Sequence, residues 1–251
     1  MPDTRSRYRH RMAVAGIVLA GGSGSRIQRE VNKVLLTLGD REMLAYSLDT
    51  MDRCPAVDLI VLVVRAEDRA SIERMVDETP VSKLFAVVPG GATRHQSERH
   101  GLESLAGPID RGEIDVVVVH DGARPFMTSD LLEQTIAAAR RTGGGVPGLP
   151  LDGPVYERQG TSAKWLSPDR LRRMQTPQAF LAAPLLEAFR TSDAMGDEGV
   201  DTAETVERHS ELKIEVVPGD PRNIKVTFVE DIFRAEEYAA SFGHGGWRPG
   251  I

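Results

Sequence analysis

A run of small residues followed by two cations is the first candidate for chemistry in this chain. Residues 20–26 read Ala-Gly-Gly-Ser-Gly-Ser-Arg, and Lys33 follows Arg26 by seven positions. Because small side chains let backbone N–H groups surround an anionic group, the run is typical of a phosphate-binding turn, and the two cations would help to neutralise the phosphate. The alternative that the run itself allows is a plain glycine turn between a strand and a helix.

The spacing within this run argues against two common phosphate loops. A P-loop requires Gly-Lys followed by Ser or Thr, and the chain contains no Gly-Lys dipeptide. The dinucleotide-binding fingerprint is met at Gly22 and Gly24, but Ile27 occupies the position of its third glycine. The sequence therefore excludes P-loop ATPases and weakens a dehydrogenase interpretation.

An acidic residue follows a later apolar run, in the segment His-Asp-Gly-Ala-Arg-Pro over residues 120–125. Ligands collect outside the carboxyl ends of the strands in open parallel sheets, so Asp121 is well placed for Mg²⁺. A carboxylate, a phosphate loop and Mg²⁺ together supply what phosphoryl or nucleotidyl transfer requires. The alternative is that Asp121 caps a turn and Arg124 forms a surface ion pair.

Two further segments are candidates for ligand contacts. Residues 90–97 place a second glycine pair at the end of a predicted strand, leading into a helix. Lys225 lies in an otherwise apolar, strand-like part of residues 219–227, and a buried lysine is costly unless it is paired. We therefore expect Lys225 to face a charged ligand; the alternative is a lysine that snorkels at a sheet edge.

The composition disfavours several function classes. Lys and Arg number 31 against 37 Asp and Glu, so the surface as a whole does not attract nucleic acid and any phosphate site must be local. The histidines form no zinc-binding pattern, and the Gly-x-Ser-x-Gly elbow of α/β-hydrolases is absent. No stretch approaches the ~18 apolar residues of a membrane span. Cys54, the single cysteine, cannot form an intramolecular disulfide, which favours a cytoplasmic location.

The N-terminus imitates a signal peptide, because four arginines precede the apolar run 13–20. We do not interpret it as one, since the run is at the short limit for such a region and opens directly into the glycine run. We expect residues 1–12 to form a flexible basic tail, residues 13–241 a single domain, and residues 242–251 a C-terminal tail.

Short apolar runs alternate with helix-length segments, and this pattern predicts an α/β fold. Strands are predicted at residues 14–20, 59–64, 84–88, 115–119 and 213–217. Helices are predicted at about 41–52, 67–77, 94–105, 128–141, 182–190 and 229–241. The proline-rich residues 147–174 predict an arm. We therefore expect a Rossmann-like, mostly parallel sheet with flanking helices and a protruding arm.

Six ordered motifs resemble those of the cytidylyltransferases that activate alditol phosphates. The resemblance is above all to the 2-C-methyl-D-erythritol 4-phosphate cytidylyltransferases, with the ribitol-5-phosphate cytidylyltransferases close behind, and it spans roughly residues 14–238. The motifs are LAGGSGSR ending at Arg26, Lys33 with the following Leu35 and Leu36, GGATRHQS ending at Ser97, HDGARP from His120, QTPQAF from Gln175 and NIKVT from Asn223. Six motifs in order are far more specific than one glycine loop.

The resemblance implies a Mg²⁺-dependent transfer of CMP from CTP to a sugar-alcohol phosphate, with 2-C-methyl-D-erythritol 4-phosphate as the leading acceptor. It implies that Arg26 and Lys33 stabilise the transition state and that Lys225 binds the α-phosphate and aligns the acceptor. Asp121 would lie by Mg²⁺ or the acceptor hydroxyls, and Thr176 would line the acceptor site. The other nucleotide-binding positions that it implies are Ala20, Gly21, Gly22, Ser23, Gly24, Gly91, Arg94, Ser97 and Ala123.

The resemblance also implies an oligomer. Similar enzymes are homodimers in which the arm reaches the acceptor site of the neighbour, so a homodimer through residues 147–174 is expected. The expected partners are CTP and a small polyol phosphate, and neither nucleic acid nor a membrane is among them.

The departures from the family pattern concentrate in the acceptor half; a milder one is Asn32, which stands where such enzymes carry a proline before the lysine. Pro168 stands where such enzymes carry an arm arginine, Pro154 stands about where they carry an arm threonine, and Val200 replaces a second threonine. Proline and valine side chains donate no hydrogen bonds, so the identity of the acceptor substrate stays open. The motifs that resemble the nucleotide site, in contrast, are intact. The candidates for a replacement cation from a shifted arm are Arg170, Arg172 and Arg173. Alternatively, the acceptor is a different polyol phosphate, or the chain is an inactive relative.

Two other functions stay open at this point. The three departures allow a nucleotide-binding protein without catalysis. A glycine loop and a lone Asp121 also allow a nucleotide-sugar glycosyltransferase or a nucleotidyltransferase for another base, because they do not specify cytosine.

Overall fold

The computed structural model describes residues 12–21 and 32–247, so the predicted N-terminal tail lies outside the described residues except for Met12. The strands, in chain order, are β1 (Ala13–Ala20), β2 (Thr37–Leu38), β3 (Arg41–Glu42), β4 (Leu59–Val64), β5 (Leu84–Pro89), β6 (Ile114–Asp121), β7 (Gly143–Pro150), β8 (Val155–Gln159), β9 (Ser162–Leu166), β10 (Arg172–Met174), β11 (Gln178–Leu181), β12 (Lys213–Pro218), β13 (Phe242–Gly243) and β14 (Gly246–Trp247).

The helices that cover the sheet follow most of the predicted positions. They are α1 (Met43–Arg53), α2 (Arg69–Glu78), α3 (Arg94–Glu103), α4 (Ala106–Asp110), α5 (Ser129–Thr142), α6 (Ala182–Met195), α7 (Thr202–His209) and α8 (Val229–Ala239), with short 3-10 helices at Lys33–Leu35, Ala66–Asp68 and Pro168–Arg170. Within the part of the chain that the structure describes, no helix is both long enough and apolar enough to cross a membrane.

The main sheet has eight strands and is mostly parallel. Seven of them follow the order β10-β7-β11-β6-β1-β4-β5, and β12 pairs with β7. β1, β4, β5 and β6 are parallel to one another, whereas β11 runs antiparallel between β6 and β7. The valine-rich and isoleucine-rich runs suit strands that helices cover on both faces. The predicted α/β fold with a mostly parallel sheet is confirmed.

Side chains of β1 alternate between two buried clusters, one on each face of the sheet. Val14 and Val18 pack in the cluster that contains Met51 of α1, whereas Ile17 packs in the cluster that contains Leu102 of α3. All five side chains are fully buried. A shift of one residue along β1 would exchange the two faces, so this packing fixes where the strand ends.

The predicted arm over residues 147–174 is too long at both ends. β7 and β10 pair within the main sheet, and only β8 and β9 form a separate two-stranded ribbon, which we call the arm ribbon. Glycine and proline are depleted in strands, which is why the sequence pattern hid β7. In β7 a Cβ on Gly145 would lie 2.3 Å from the carbonyl oxygen of Thr135, so the glycine allows α5 to pack closely on the strand.

Two further elements that the sequence did not predict are β11 and α7. β11 has only four residues, and α7 has eight, so neither gives a long periodic signal. A local signal for α7 was present, because Asp201 is its N-cap and accepts a hydrogen bond from the backbone N–H of Glu204 at 2.9 Å.

Residues 242–247, which we expected to belong to a C-terminal tail, form a packed hairpin of β13 and β14. Phe242 is buried, and its ring centroid lies 5.4 Å from that of Phe126. The ring of Trp247 lies 5.8 Å from the same phenylalanine. These aromatic contacts fix the hairpin on the body of the protein. Residues 248–251 lie outside the described part of the chain.

Candidate active site

A cavity of about 670 Å³ opens where the parallel strands end. Leu19 of β1 pairs with Asp121 of β6, and Ala20 pairs with Val64 of β4, so the carboxyl ends of the three strands meet at this edge. Open parallel sheets bind ligands at such an edge, in the crevice formed by the loops that leave the strands.

The cavity brings together most of the predicted site residues that the structure describes. Those that line it are Gly21, Lys33, Gly91, Arg94, Ser97, Asp121, Ala123 and Lys225. Two others, Ala20 and Thr176, are buried and do not line it. Four more lie outside the described residues, and their roles stay predictions: they are Gly22, Ser23, Gly24 and Arg26.

Asp121 is the charged centre of the cavity wall. The Nζ of Lys225 lies 2.8 Å from Oδ2, the Nε of Arg94 donates to Oδ1 at 3.3 Å, and the Nε of Arg124 lies 3.8 Å from Oδ2. Burial alone would raise the pKa of Asp121, but the charges of Arg94, Lys225 and Arg124 hold it well below its usual range. The carboxylate is therefore ionised at any pH near neutrality. Arg124 is largely buried, so its ion pair is not the surface pair that the sequence allowed.

Lys225 reaches this carboxylate from an irregular segment and not from a strand. Residues 224–227 lie outside any strand, and the backbone N–H of Val226 donates to the carbonyl of Ala123 at 2.9 Å. The lysine side chain is 40% exposed and paired with Asp121. It therefore faces the cavity and does not snorkel at a sheet edge.

Two buried amide side chains hold the segment that carries Lys225. Asn223 donates from Nδ2 to the carbonyl of Thr176 at 2.9 Å. Gln175 donates from Nε2 to the carbonyls of Asp220 and Asn223 at 2.9 and 3.0 Å. Both amides were part of the recognised motifs, but sequence analysis assigned neither a role. The sequence indicates them only indirectly, because buried backbone outside helices and strands needs polar side chains as hydrogen-bond partners.

Lys33 enters the cavity from the start of a short 3-10 helix. Its Nζ donates to the carbonyl of Val226 at 2.9 Å, which brings it next to the segment that carries the second lysine. Asn32 caps this helix and is fully buried. Its Nδ2 lies within hydrogen-bond distance of two acceptors, the carbonyl of Ala20 at 2.8 Å and Oδ2 of Asp68 at 2.7 Å. Asn32 therefore ties the position of Lys33 to the end of β1.

The second glycine pair forms a narrow turn against α3. The backbone N–H of Gly91 donates to Oγ of Ser97 at 3.0 Å, and this hydroxyl donates to the carbonyl of Thr93 at 2.9 Å. A Cβ on Gly91 would lie 2.3 Å from Cβ of Gln96, so the close approach requires glycine. At Gly90 and Gly91, which both line the cavity, the turn presents backbone and no side chain.

Thr176 lies behind the cavity wall, where it connects β11 to the end of β6. Its hydroxyl accepts a hydrogen bond from the backbone N–H of Asp121 at 3.0 Å. It also lies 3.1 Å from Nδ1 of His120, whose Nε2 is 3.1 Å from the carbonyl of Arg124. Burial lowers the pKa of His120 to about 4, so the imidazole is neutral, donates from Nε2 and accepts the threonine proton at Nδ1.

Glu98 is a charged residue of this region that sequence analysis missed. It lies in the second turn of α3 and is 1% exposed. Its carboxylate contacts Arg94, which lines the cavity. Acidic residues on helices are mostly exposed, so the sequence pattern gave no reason to select this one.

Pro154, Pro168 and Val200, which depart from the family pattern, do not line the cavity as the described residues form it. Val200 is 83% exposed in the loop before α7, and Pro154 and Pro168 lie just outside the two ends of the arm ribbon. The guanidinium of Arg172 binds two carbonyl oxygens of its own segment. The candidate replacement cations do not line the described part of the cavity: they are Arg170, Arg172 and Arg173.

Comparison with known proteins identifies the family. The model of the 2-C-methyl-D-erythritol 4-phosphate cytidylyltransferase family matches residues 14–241. Proteins of that name from Geobacter metallireducens and Geobacillus kaustophilus are 37% and 33% identical to this chain; the alignments cover 90% and 92% of it and 97% and 98% of those proteins.

Solved structures agree with this match. A 4-diphosphocytidyl-2C-methyl-D-erythritol synthase from Anaerococcus prevotii superposes with a TM-score of 0.80 at 28% identity, over 91% of this chain and 96% of that one. A 2-C-methyl-D-erythritol 4-phosphate cytidylyltransferase from Thermus thermophilus gives 0.70 at 25% identity, over 89% and 98%. This chain therefore belongs to the 2-C-methyl-D-erythritol 4-phosphate cytidylyltransferase family.

Proposed function

We propose that this enzyme transfers CMP from CTP to 2-C-methyl-D-erythritol 4-phosphate and releases pyrophosphate. The observation that supports it most directly is the convergence of Lys33, Arg94, Lys225 and Asp121 in one cavity at the carboxyl edge of the sheet, with Arg94 and Lys225 paired to Asp121. The acceptor follows from the names of the relatives, which cover nearly the whole chain.

In this reaction an oxygen of the acceptor phosphate attacks the α-phosphorus of CTP. The new P–O bond joins CMP to the acceptor, and the bond between the α-phosphorus and the bridging oxygen breaks as pyrophosphate leaves. The acceptor phosphate is already an anion, so no general base is needed. Catalysis then consists of positioning and of neutralising the charge on the phosphoryl oxygens.

Lys33 and Lys225 are placed to supply that neutralisation. The carbonyl of Val226 holds the first ammonium, and the carboxylate of Asp121 holds the second. Donors that are held in place before the substrate binds cost no reorganisation in the transition state. Lys33 therefore contacts the segment that carries Lys225, and both ammonium groups line the same cavity.

The cytosine base would lie against the turn formed by residues 90–97. Gly91 and Ser97 both line the cavity, and their hydrogen bond to each other fixes the backbone there. A backbone surface without a Cβ allows a flat base to approach closely. Arg94, one turn along, would complete this side of the nucleotide site.

Asp121 is the residue that would hold a magnesium ion together with the phosphates of CTP. Within the described ranges, no group of three or more His, Cys, Asp or Glu side chains could hold a metal ion on its own. Mg²⁺ is typically held by one or two carboxylates together with substrate phosphates, and Asp121 is an ionised carboxylate on the cavity wall. When bound, the ion would neutralise charge on the phosphate oxygens.

We also propose a homodimer formed through the arm ribbon. Its two large aromatic side chains, Tyr156 and Trp165, form a cross-strand pair and are 58% and 55% exposed. Exposed aromatic residues on a protruding ribbon are typical of an interface. A neighbour's arm would then bring its own side chains to the acceptor site.

A cytoplasmic location completes the proposal. Cys54 is buried and has its thiol free, as is typical of proteins in reducing compartments.

The experiment that tests this function is an assay of pyrophosphate release. The purified protein is given CTP, Mg²⁺ and one acceptor at a time: 2-C-methyl-D-erythritol 4-phosphate, ribitol 5-phosphate, or none. UTP, ATP and GTP replace CTP in parallel, EDTA replaces Mg²⁺, and mass spectrometry identifies the product. We expect turnover with CTP and the methylerythritol phosphate, and loss of turnover with EDTA.

Each other outcome has a definite meaning. Turnover with ribitol 5-phosphate alone would show that the type of reaction is as proposed but that the acceptor is a different polyol phosphate. Binding of CTP without turnover on any polyol phosphate would contradict the proposal and identify a nucleotide-binding protein. Equal turnover with all four nucleotides would contradict the assignment of residues 90–97 to cytosine recognition.

A further inference from the structure

Glu98 is a buried carboxylate whose burial needs a physical reason. It is 1% exposed, and its Oε1 lies 2.5 Å from Nη1 of Arg94. The hydroxyl of Thr202 donates to the same oxygen at 2.5 Å. A buried ion pair stabilises a fold weakly, because the cost of removing both charges from water offsets their attraction. The arrangement therefore points to a role beyond stability.

The contact with Glu98 bears on the cavity wall, because its partner Arg94 lines the cavity. Arg94 stands between two carboxylates, with Glu98 on the side away from the cavity and Asp121 on the cavity side. An arginine side chain that is held at one point keeps several rotamers, whereas two anchors on its planar guanidinium fix its direction. Removal of either anchor would free the guanidinium to turn.

The same carboxylate also fixes a second element. Thr202 is the first residue of α7, and Asp201 before it is the N-cap of that helix. Gln178 of β11 donates to the carboxylate of Asp201 at 3.1 Å. Glu98 therefore joins α3, which carries Arg94, to the helix start that packs behind it.

We propose that Glu98 is a positioning residue, which together with Thr202 holds the guanidinium of Arg94 in the orientation that receives the nucleotide. The inference rests on the proposed function, since it takes CTP as the ligand of Arg94. It adds a residue to the site that does not touch the cavity and that no motif in the sequence selects.

A pH dependence follows from this arrangement. The charged and titratable groups that face Glu98 are Arg94 on its own helix, Asp121 at the end of β6 and Asp201 at the start of α7. Burial raises the pKa of Glu98 to about 7, although the charge of Arg94 and the hydrogen bond from Thr202 act in the opposite direction. As the pH falls through about 7, Glu98 becomes neutral and Arg94 loses one anchor. CTP affinity should weaken with it.

The test is a measurement of CTP affinity by calorimetry at pH 6 and pH 8, in the presence of Mg²⁺ and without an acceptor. Glu98→Gln keeps the size of the side chain and one acceptor oxygen, and removes its charge. We expect its Kd for CTP to be about 10-fold higher than that of the wild-type protein at pH 8, since partners that orient a binding side chain are typically worth that much. At pH 6 the two proteins should differ by less than about 2-fold, because the wild-type carboxyl is then neutral as well.

A matched control lies at the other end of the same helix. Glu103 pairs with Arg190 at 3.1 Å, and both side chains are more than a third exposed. Glu103→Gln removes the same charge from α3 at a distance from the cavity. It should bind CTP like the wild-type protein at both pH values, and a loss equal to that of Glu98→Gln would overturn the inference.

Thr202→Val supplies a second test that does not remove the carboxylate. The variant removes a hydrogen bond that lowers the pKa of Glu98, so the pH at which CTP affinity changes should move upward. Thr202→Ser should restore the wild-type profile. This variant also decides the matter if Glu98→Gln does not fold, as judged by circular dichroism.

Three further results would overturn the inference: wild-type affinity in folded Glu98→Gln at pH 8, an equal loss at both pH values, or an unchanged profile in Thr202→Val. Because these measurements need no acceptor, they separate the inference from the proposed reaction. A wild-type protein that binds CTP but turns over no polyol phosphate would contradict the reaction alone. A wild-type protein that does not bind CTP would contradict both.

Discussion

The cavity wall and the arm ribbon differ in how far the chain itself fixes their side chains. On the cavity wall, Asp121 is buried among three cations, and Glu98 and Thr202 hold one of those cations from behind. On the arm ribbon, Tyr156 and Trp165 face each other across two strands and stay more than half exposed. The comparison teaches that the described part of one chain fixes much of the proposed nucleotide side of the site, whereas the proposed acceptor side would depend on what the arm meets.

Lys225→Ala should have the largest effect on activity and should reveal how much the cavity wall contributes. The ammonium lies 2.8 Å from Asp121 and, in the proposed reaction, neutralises charge in the transition state, so we expect kcat to fall by about 10²–10³-fold. Lys33→Ala should behave similarly. Steady-state kinetics with CTP and acceptor both saturating measure the loss. Lys213→Ala, an exposed lysine on β12, is the control and should leave kcat unchanged.

A kcat within about threefold of wild type in either cavity variant would remove that lysine from transition-state stabilisation. The cavity wall and the arm ribbon would then differ in how their side chains are packed, but not in their contribution to the transition state.

Asp121→Asn should have the next largest effect, on stability as well as on activity. The change leaves three cations around a neutral side chain, and breaking a buried charge cluster in this way typically costs about 3 kcal/mol of unfolding free energy. The pKa of Asp121 is lowered in the folded protein, so its contribution is present above the pKa of an unfolded aspartate and is lost only as the pH falls below it. Urea unfolding at pH 5 and pH 8 should therefore give the same loss.

Asp115→Asn is the control for that measurement. Asp115 lies near the other end of the same strand and pairs with Arg140, and its loss should cost less than about 1 kcal/mol. Equal costs for the two variants would show that the cavity charges are no more tightly coupled than a pair near the surface.

The pH dependence of stability separates the two carboxylates that flank Arg94. The pKa of Glu98 is raised to about 7 by burial, so its contribution to stability is fully present below the pKa of an unfolded glutamate and is lost as the pH rises through about 7. Between pH 5 and pH 8 the wild-type protein should lose on the order of 2 kcal/mol relative to Glu98→Gln. Parallel urea titrations of both proteins measure the difference, and a constant difference across that range would contradict the buried, titrating carboxylate.

The sequence predicted the parts of the cavity that local patterns encode. Valine-rich strands and glycine pairs placed Gly21, Gly91 and Asp121 at strand ends, since a strand followed by glycines and a helix has few other interpretations. The motif that contains Lys225 was recognised as well, although its segment is irregular and not a strand. These features depend on neighbours in the chain, which a sequence shows directly.

The sequence did not predict the parts that depend on distant neighbours. Glu98 looks like an ordinary surface residue of a helix until Thr202, more than a hundred positions later, packs against it. Gly145 looks like a break in structure until α5 packs on β7 at a distance that a Cβ would not allow. In both cases tertiary packing overrides what the local pattern favours.

Substitutions of two tryptophans, one packed on the body of the protein and one on the arm ribbon, test how differently these two regions are packed. Trp247 contacts the buried ring of Phe126 and donates from Nε1 to Asp220 at 3.2 Å, while the guanidinium of Arg222 lies over its ring. The side chain is only partly buried, so Trp247→Ala should lower the unfolding free energy by about 1.5 kcal/mol, less than a fully buried aromatic residue would cost. Urea unfolding measures it. No loss would mean that the C-terminal hairpin is not a stable part of the body.

Trp165→Ala on the arm ribbon should have the smallest effect on stability, within about 0.5 kcal/mol in urea unfolding at protein concentrations that favour the monomer. CTP affinity should be unchanged, because the arm ribbon does not line the cavity of its own chain. If the arm meets a neighbouring chain, the variant should instead weaken the dimer in sedimentation velocity and raise the KM for the acceptor. A loss of CTP affinity would break the comparison, since the nucleotide side would then also depend on the arm.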